Sequence, residues 1–270
     1  MKRIALIGYG AIARIMLGKL REHDPEGAVR VVGVLVREAR IAETRAALGD
    51  GVAVVSTVDE LIRLSPNFVV ECAGQGAVGE YGEAVLQAGI DLMVISTGAL
   101  ADGRTRTVLS DAAARTGARM ILPAGAIAGI DGLNALRIGG LDSVRYISAK
   151  PPLAWKGTPA EDAFDLAAIA ERTVLYAGPA SEAARLYPRN ANLAATVALA
   201  GLGMEKTEIQ LVADPAVAPH NVGRIEAAGR FGQLTVECRG LPAPDNPKTS
   251  ATTALSLAYA ILRGTGTIVL

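Results

Sequence analysis

The chain has 270 residues, of which half are hydrophobic and 4% are aromatic, and this length is enough to bury one large core or two medium ones. Its 27 basic side chains equal its 27 acidic ones in number, which argues against nucleic acid or an anionic membrane as a partner. The two cysteines, Cys72 and Cys238, match no metal or redox spacing and are typical of reduced thiols in a cytosolic protein.

The first twenty residues read as a strand, a glycine turn and a helix. An aliphatic run over 3–7 is followed by Gly8-Tyr-Gly10-Ala-Ile-Ala13 and then by an amphipathic run over 11–20. In such a turn Gly8 permits the tight bend, Gly10 lets a pyrophosphate approach the backbone, and Ala13 keeps the helix close to the strand. The pattern predicts dinucleotide binding, and its alternative is a plain turn between strand and helix. The predicted cofactor contacts here are Gly8, Gly10, Ala11 and Ile12.

A second, almost continuous apolar strand is predicted over 29–36, as suits a parallel sheet buried on both faces. Dinucleotide-binding folds often carry an acidic residue at the end of this strand, where it binds the ribose 2′-hydroxyl. This chain has Arg37 there, followed by Glu38. An arginine can pair with a 2′-phosphate, so the sequence allows NADP as well as NAD. The alternative is a solvated start of a helix.

Strands and helices continue to alternate as far as residue 122. Strands are predicted over 52–55, 67–71, 92–95 and 119–122, and helices over 58–64, 77–88 and 104–116. This alternation predicts an α/β fold with an N-terminal Rossmann-type, doubly wound parallel sheet. Ligands of such sheets lie beyond the carboxyl ends of the strands, so we expect the turns at Gly8, Ala73, Ser96 and Ala124 to gather around one crevice.

The pattern changes near residue 130. Segments resembling strands occur at 145–149, 207–213, 222–228 and 232–239, with predicted helices at 165–176, 181–186 and 193–201. Strands without regular crossover helices predict a second, α+β domain with a mixed sheet. We therefore expect a dinucleotide-binding domain over 1–130 and a substrate domain over 131–246, with a C-terminal helix within 247–270 packing back on the first domain.

His220 is the first candidate for chemistry in the second half. Histidine is the side chain that titrates near neutral pH without perturbation, and it suits proton transfer. The chain has one other histidine, His23, in a polar segment that predicts a surface position. A hydrogen-bonded structural role for His220 remains open beside the catalytic one.

Three further groups could contact a substrate. Asn190 and Asn192 precede an apolar helix, where they could cap it or reach into a site. Lys248 and Thr249 precede the final helix, whose N-terminus could form an anion pocket with them or be a capped, solvated loop. Lys150 is a cation at a predicted strand end, and it too could be solvated.

No targeting or metal-binding pattern is found. The N-terminus begins with strand residues, and the longest apolar stretch, 193–204, is too short to span a bilayer. We therefore expect a cytoplasmic protein without membrane anchorage. The separated histidines and cysteines form no recognisable metal site.

Taken together, the motifs resemble those of the L-aspartate dehydrogenase family over essentially the full chain. The most specific segments are those in the middle and the second half. The segments that carry the resemblance are Gly8–Ile12, Val70–Ala73, Ser96–Asp102, Pro123–Asp131, Lys150–Pro152, Tyr187–Asn192 and Pro219–Asn221.

The resemblance implies reversible NAD(P)-dependent oxidation of L-aspartate to iminoaspartate, which hydrolyses to oxaloacetate and ammonia, and a possible link to NAD biosynthesis. It further implies that His220 is the active-site histidine, that Ala124 and Asn190 contact the cofactor, and that the protein is a homodimer. Lys150, Asn192, Lys248 and Thr249 are the candidate substrate contacts, with Arg189 as a further cation. The strand end at Arg37 departs from family members with an acidic residue there.

Two rival readings stay open from sequence alone. One is a related two-domain reductase or dehydrogenase, although the paired histidines of dihydrodipicolinate reductase and the Glu-Lys-Pro of sugar dehydrogenases are absent. The other is a non-catalytic regulator that binds a dinucleotide.

Overall fold

The computed structural model describes residues 1–243 and 246–263, and for residues 189, 242, 243 and 246–249 it describes the backbone alone. The first part of the chain alternates strands and helices. These elements are β1 (Lys2–Ile7), α1 (Ala11–His23), β2 (Val29–Leu35), α2 (Ile41–Leu48), β3 (Ala53–Val55), α3 (Val58–Arg63), β4 (Phe68–Glu71), α4 (Gln75–Gln87), β5 (Asp91–Val94), α5 (Gly103–Thr116) and β6 (Met120–Ile121).

The second part is richer in strands. Its elements are α6 (Ile130–Gly139), β7 (Leu141–Lys150), α7 (Ala160–Ala163), β8 (Thr173–Pro179), α8 (Ala180–Leu186), α9 (Ala191–Ala200), β9 (Glu208–Ala213), β10 (Asn221–Gly229), β11 (Gly232–Gly240), β12 (Pro242–Ala243), β13 (Asn246–Ser250) and α10 (Ala251–Leu262).

The chain divides into two compact units. Among the described residues, the first holds Met1–Ala99, Gly103–Pro123 and those from Thr253 to Arg263, and the second holds Leu100–Asp102 and those from Ala124 to Thr252. Residues 124–130 thus lie in the second unit, and the C-terminal helix α10 lies largely in the first.

The first unit is built on a six-stranded parallel sheet in the order β3-β2-β1-β4-β5-β6. The predicted doubly wound sheet is confirmed. Its central strand β1 is apolar because both faces are covered, and Ile4 to Ile7 are all buried. The strand order reverses between β1 and β4, so the carboxyl ends of these two strands flank the place where such sheets bind ligands.

A local signal in the sequence fixes the start of α3. Thr57 begins α3 with a capping box, in which its Oγ1 accepts from the Glu60 N–H (3.3 Å) and the Glu60 carboxylate accepts from the Thr57 N–H (3.1 Å). Helix α10 is held to the first sheet by packing and by Lys2, whose Nζ donates to the carbonyls of Ile261 (2.6 Å) and Arg263 (2.8 Å). Among the described residues no helix is long and apolar enough to cross a membrane.

The second unit contains a mixed five-stranded sheet in the order β11-β10-β7-β9-β8, in which β7 and β9 are parallel and the other pairs antiparallel. This confirms the predicted α+β character. One face of the sheet packs on α8 and α9 around a core that includes Tyr146 and Trp155. The strands β12 and β13 form a separate pair.

One helix prediction in this unit is wrong. The segment 165–176 is not a helix, because residues 173–179 form β8, where Val174 pairs with Val212 and Tyr176 with Leu211 of β9. Branched and aromatic side chains suit a strand, and the helix-like spacing of Leu166 and Ile169 instead reflects contact with the core. Residues 246–250, for which the sequence left a helix N-terminus and a solvated loop open, form β13.

Candidate active site

The glycine turn after β1 is built by close contact with the turn after β4. Gly8 has φ of +92°, a conformation that L side chains rarely adopt. A Cβ placed on Gly8 would lie 2.8 Å from the Cβ of Ala73 and 2.9 Å from its Cα. Gly8 is therefore required both by its backbone conformation and by the approach of Ala73, and the two turns meet where the strand order reverses.

The N-terminus of α1 is open for an anion. Gly10 occupies the N-cap position, no side chain caps the helix, and its first turn contains no acidic residue. A Cβ on Gly10 would meet nothing within 4 Å, whereas Ala13 on the inner side of the helix is completely buried. Backbone N–H groups at a helix N-terminus bind phosphate, so these residues fit the pyrophosphate of a dinucleotide.

A cleft of about 430 Å³ lies over this turn within the first unit. Arg37 and Arg40, after β2, line it together with Gly8, Gly10 and Ala73. Arg40 pairs with Glu43 (Nε to Oε2, 2.7 Å), whereas exposed Arg37 has no ion pair among the residues that the structure describes. Arg37 thus presents a cation at the strand end where the ribose 2′ position lies in this fold.

Glu71 is a buried carboxylate behind this cleft that the sequence reading did not identify as functional. It is 1% exposed, and its oxygens accept from the N–H groups of Ala73 (2.8 Å) and Gly74 (2.7 Å) and from the N–H (3.0 Å) and hydroxyl (2.9 Å) of Ser96. Burial raises the pKa of the Glu71 carboxyl, and these hydrogen bonds oppose that effect. One side chain therefore ties the turn after β4 to the turn after β5.

Replacing Glu71 with glutamine is expected to lower NAD(P)H affinity by about tenfold and stability by about 1–3 kcal/mol, because one NH₂ group would face a backbone N–H donor and leave it unpaired. The turn that packs against Gly8 would then be less firmly held. Fluorescence titration with NADH and thermal unfolding measure the two effects. Glu83→Gln on α4 is the matched control, and equal results for the two variants would contradict the assigned role.

The second unit brings two predicted residues together where β7 ends and β10 begins. Lys150 is the last residue of β7 and pairs with Ala213 of β9. On the other side of β7, Ala149 pairs with Val222, so the next position along places Asn221 beside Lys150 and His220 one residue further on. His220 is half-buried, and its ring forms no hydrogen bond with the described residues, which does not support a structural hydrogen-bonding role.

Asn190 occupies the N-cap position of α9, but its side chain makes no capping hydrogen bond. The capping alternative is therefore wrong for Asn190, and its half-buried amide remains a candidate contact. Asn192 lies in the first turn of α9, and its carbonyl accepts from the Thr196 hydroxyl (3.0 Å). Ala124 is the first residue of the second unit after Pro123.

The remaining predicted substrate contacts lie outside the described side chains. Lys248 and Thr249 fall in β13, and their side chains, like that of Arg189, are not among those described. Among the side chains that are described, no three histidine, cysteine or acidic residues lie close enough to share a metal ion.

Comparison with known proteins adds to this geometry. Residues 131–264 match the family model described as "Aspartate dehydrogenase, C-terminal", and residues 8–123 match the one described as "Homoserine dehydrogenase, NAD binding domain". The L-aspartate dehydrogenase of Serratia proteamaculans is 46% identical over 263 residues, which cover 97% of each chain. The chain belongs to the aspartate dehydrogenase family.

Other members of the aspartate dehydrogenase family agree with this assignment. The L-aspartate dehydrogenase of Cupriavidus necator is 46% identical over 264 residues, again covering 97% of both chains. The crystal structure of aspartate dehydrogenase from Thermotoga maritima matches with a TM-score of 0.75 and 26% identity, over 100% of this chain and 99% of that one. The family resemblance stated from the motifs is confirmed, and it covers both units.

Proposed function

We propose that this protein is an NAD(P)-dependent oxidoreductase that converts L-aspartate reversibly to iminoaspartate, which hydrolyses to oxaloacetate and ammonia. The observation that carries this proposal is the 46% identity to an L-aspartate dehydrogenase over 97% of both chains. The uncapped N-terminus of α1 and the exposed Arg37 add a phosphate-binding turn and a cation suited to a 2′-phosphate.

The first unit is assigned to the coenzyme and the second to the substrate. The proposed coenzyme contacts of the first unit are Gly8, Gly10, Ala11, Ile12, Arg37 and Ala73. The family resemblance adds Ala124 and Asn190 as proposed contacts. The bound nicotinamide supplies the acceptor for the two electrons and the hydrogen that leave the α-carbon of aspartate. The protein's part is to hold the two reactants aligned and close. Arg37 supports the use of NADP beside NAD.

His220 is assigned the transfer of protons. The α-amine of aspartate must be neutral before the carbon–hydrogen bond can break, and water that attacks the imine must lose a proton. A half-buried imidazole with no hydrogen bond to the described residues is free to accept and return that proton through a ring nitrogen.

The two carboxylates of the substrate require cationic or amide partners. We assign them to Lys150, Asn192, Lys248 and Thr249, with Arg189 as a further cation. Lys150 ends β7 and His220 directly precedes β10, which pairs with β7, and this supports a substrate position beside both residues.

The deciding experiment mixes the protein with NAD⁺ or NADP⁺ and a panel of amino acids and follows the absorbance of the reduced coenzyme. We expect reduction with L-aspartate and, in reverse, oxidation of NADH or NADPH with oxaloacetate and ammonia. Reduction with homoserine instead of aspartate would favour the related dehydrogenases. Coenzyme binding without turnover of any amino acid would favour the non-catalytic regulator.

The protein is proposed to be a homodimer and to lie in the cytoplasm. The iminoaspartate that it forms is proposed to feed NAD biosynthesis. Phe231 lies against Gly139, the residue after Ile138, and the exposure of Ile138 (89%) and Phe231 (72%) supports burial of these apolar side chains against a second copy. Light scattering on the purified protein would give the molar mass, and a monomer at micromolar concentration would contradict the dimer.

A further inference from the structure

Lys150 differs from the other cations of the second sheet. On the opposite face of that sheet, Arg145 pairs with Glu208 (2.9 Å) and Arg224 with Glu226 (2.8 Å). Lys150 lies on the face that carries Tyr146, and among the described residues its Nζ forms no ion pair and no hydrogen bond. A half-buried cation that has no counter-ion among the described residues costs stability, and a bound anion would supply the missing charge.

The ring of Trp155 lies against the Lys150 ammonium. Its Nζ lies 5.3 Å from the centroid of the Trp155 ring. Trp155 is fully buried, donates its Nε1–H to the Val212 carbonyl (3.1 Å) and packs edge-to-face on Tyr187 at 6.4 Å. The ring face attracts the ammonium but satisfies none of its three hydrogen-bond donors. The ammonium is thus oriented and its hydrogen-bonding capacity is left for a ligand.

Among the described residues, the titratable groups on the adjoining elements do not supply the missing charge. The Asp214 carboxylate, just after β9, accepts from the Ala216 N–H (2.9 Å). His220 lies beyond the start of β10, and Tyr187 and Tyr146 carry hydroxyls that do not act as anions at neutral pH. Burial lowers the pKa of Lys150 to about 8, and it is the only cause of the shift.

We propose that Lys150 forms the ion pair with one carboxylate of the dicarboxylate substrate, and that this pair couples substrate binding to the uptake of a proton. The inference rests on the proposed function and assigns one of its substrate contacts a charge and a pH dependence. Lys150 touches the substrate, whereas Trp155 is a positioning residue that acts through the lysine.

The sign of the coupling follows from the lysine alone. Without substrate, the Lys150 ammonium loses its proton as the pH rises through about 8. A carboxylate beside it favours the charged form and restores a higher pKa, so binding above pH 8 takes up a proton. Above pH 8 the affinity for a dicarboxylate should therefore fall, by up to about tenfold for each pH unit.

Titration calorimetry with succinate, on protein saturated with NADH, tests this coupling. Succinate has two carboxylates and no amine, so it hardly titrates between pH 7 and 9.5. Measurements in two buffers of different ionisation enthalpy give the number of protons taken up. For the wild-type protein we expect almost none at pH 7 and most of one proton at pH 9.

Three variants separate the lysine from its surroundings. Lys150→Met should weaken succinate binding and raise KM for L-aspartate by about 10- to 100-fold, without proton uptake. Lys150→Arg keeps the charge at all these pH values, so it should bind succinate with no pH dependence between 7 and 9. Lys156→Met, an exposed lysine after Trp155, is the control and should behave as the wild-type protein.

The outcomes distinguish this inference from the proposed function. If the wild-type protein oxidises L-aspartate while Lys150→Met keeps its KM and its proton uptake, the role of Lys150 is wrong and the function stands. If the wild-type protein neither oxidises aspartate nor binds succinate, both fail. Thermal unfolding of Lys150→Met checks that the variant folds, so that weaker succinate binding reports the loss of the ammonium.

Discussion

Replacing His220 with alanine is expected to lower kcat for L-aspartate oxidation by about 10²- to 10⁴-fold, the range usual for the loss of one acid or base. The reason is that the α-amine would have no group to take its proton and the attacking water none to activate it. The affinity for NADH should change little, because the phosphate-binding turn lies in the first unit. Steady-state kinetics and a fluorescence titration with NADH measure the two quantities.

The chain provides its own control for this experiment. His23 is the exposed last residue of α1, and His23→Ala removes the only other imidazole without touching the second unit. It should keep wild-type kcat. Unchanged turnover in His220→Ala would show that the proton is carried by another group, and a loss of NADH binding would show that His220 serves the coenzyme instead.

Replacing Gly8 with alanine is expected to lower stability by about 1–3 kcal/mol and NAD(P)H affinity by at least about tenfold. The new methyl group would have to occupy the space of Ala73, 2.8 Å away, in a backbone conformation with φ of +92°. Relief of that clash moves the turns after β1 and β4 apart, and these are the turns that are proposed to bind the coenzyme. Chemical denaturation and NADH titration measure both losses.

Two other glycines sharpen this test. A Cβ on Gly10 meets nothing within 4 Å, so Gly10→Ala should fold normally and weaken only NAD(P)H binding, because its methyl group enters the space left for phosphate. Gly79 is an exposed position within α4 with open space around it, and Gly79→Ala should leave coenzyme binding intact and stabilise the helix slightly. Equal NADH affinity for Gly8→Ala and Gly79→Ala would contradict the placement of the coenzyme.

The first unit was largely predictable because local patterns determine it. Apolar runs such as 4–7 require a strand covered on both faces, and the Thr57 and Glu60 pair signals a helix start within three residues. The role of Glu71 was missed, although a single acid at the end of an apolar strand is a usable signal. A charge buried there must be paired with donors that other turns provide.

The second unit was harder to predict because pairings distant in sequence decide it. Residues 173–179 become a strand only because β9 is available to pair with them, and helical spacing at 166 and 169 misled the prediction. The sequence identified Lys150 and His220 as separate candidates. They come together at the same end of β7 and β10 because of the register between these two strands, and no local sequence pattern encodes that register.

The position of helix α10 affects the order in which the two units fold during translation. Its buried side chains complete the core around β1 and α1, and Lys2 bonds to a carbonyl 259 residues later. A ribosome must therefore release almost the entire chain before the N-terminal sheet can acquire its last covering layer. During translation the second unit, whose residues are continuous apart from Leu100–Asp102, can mature earlier than the unit whose synthesis began first.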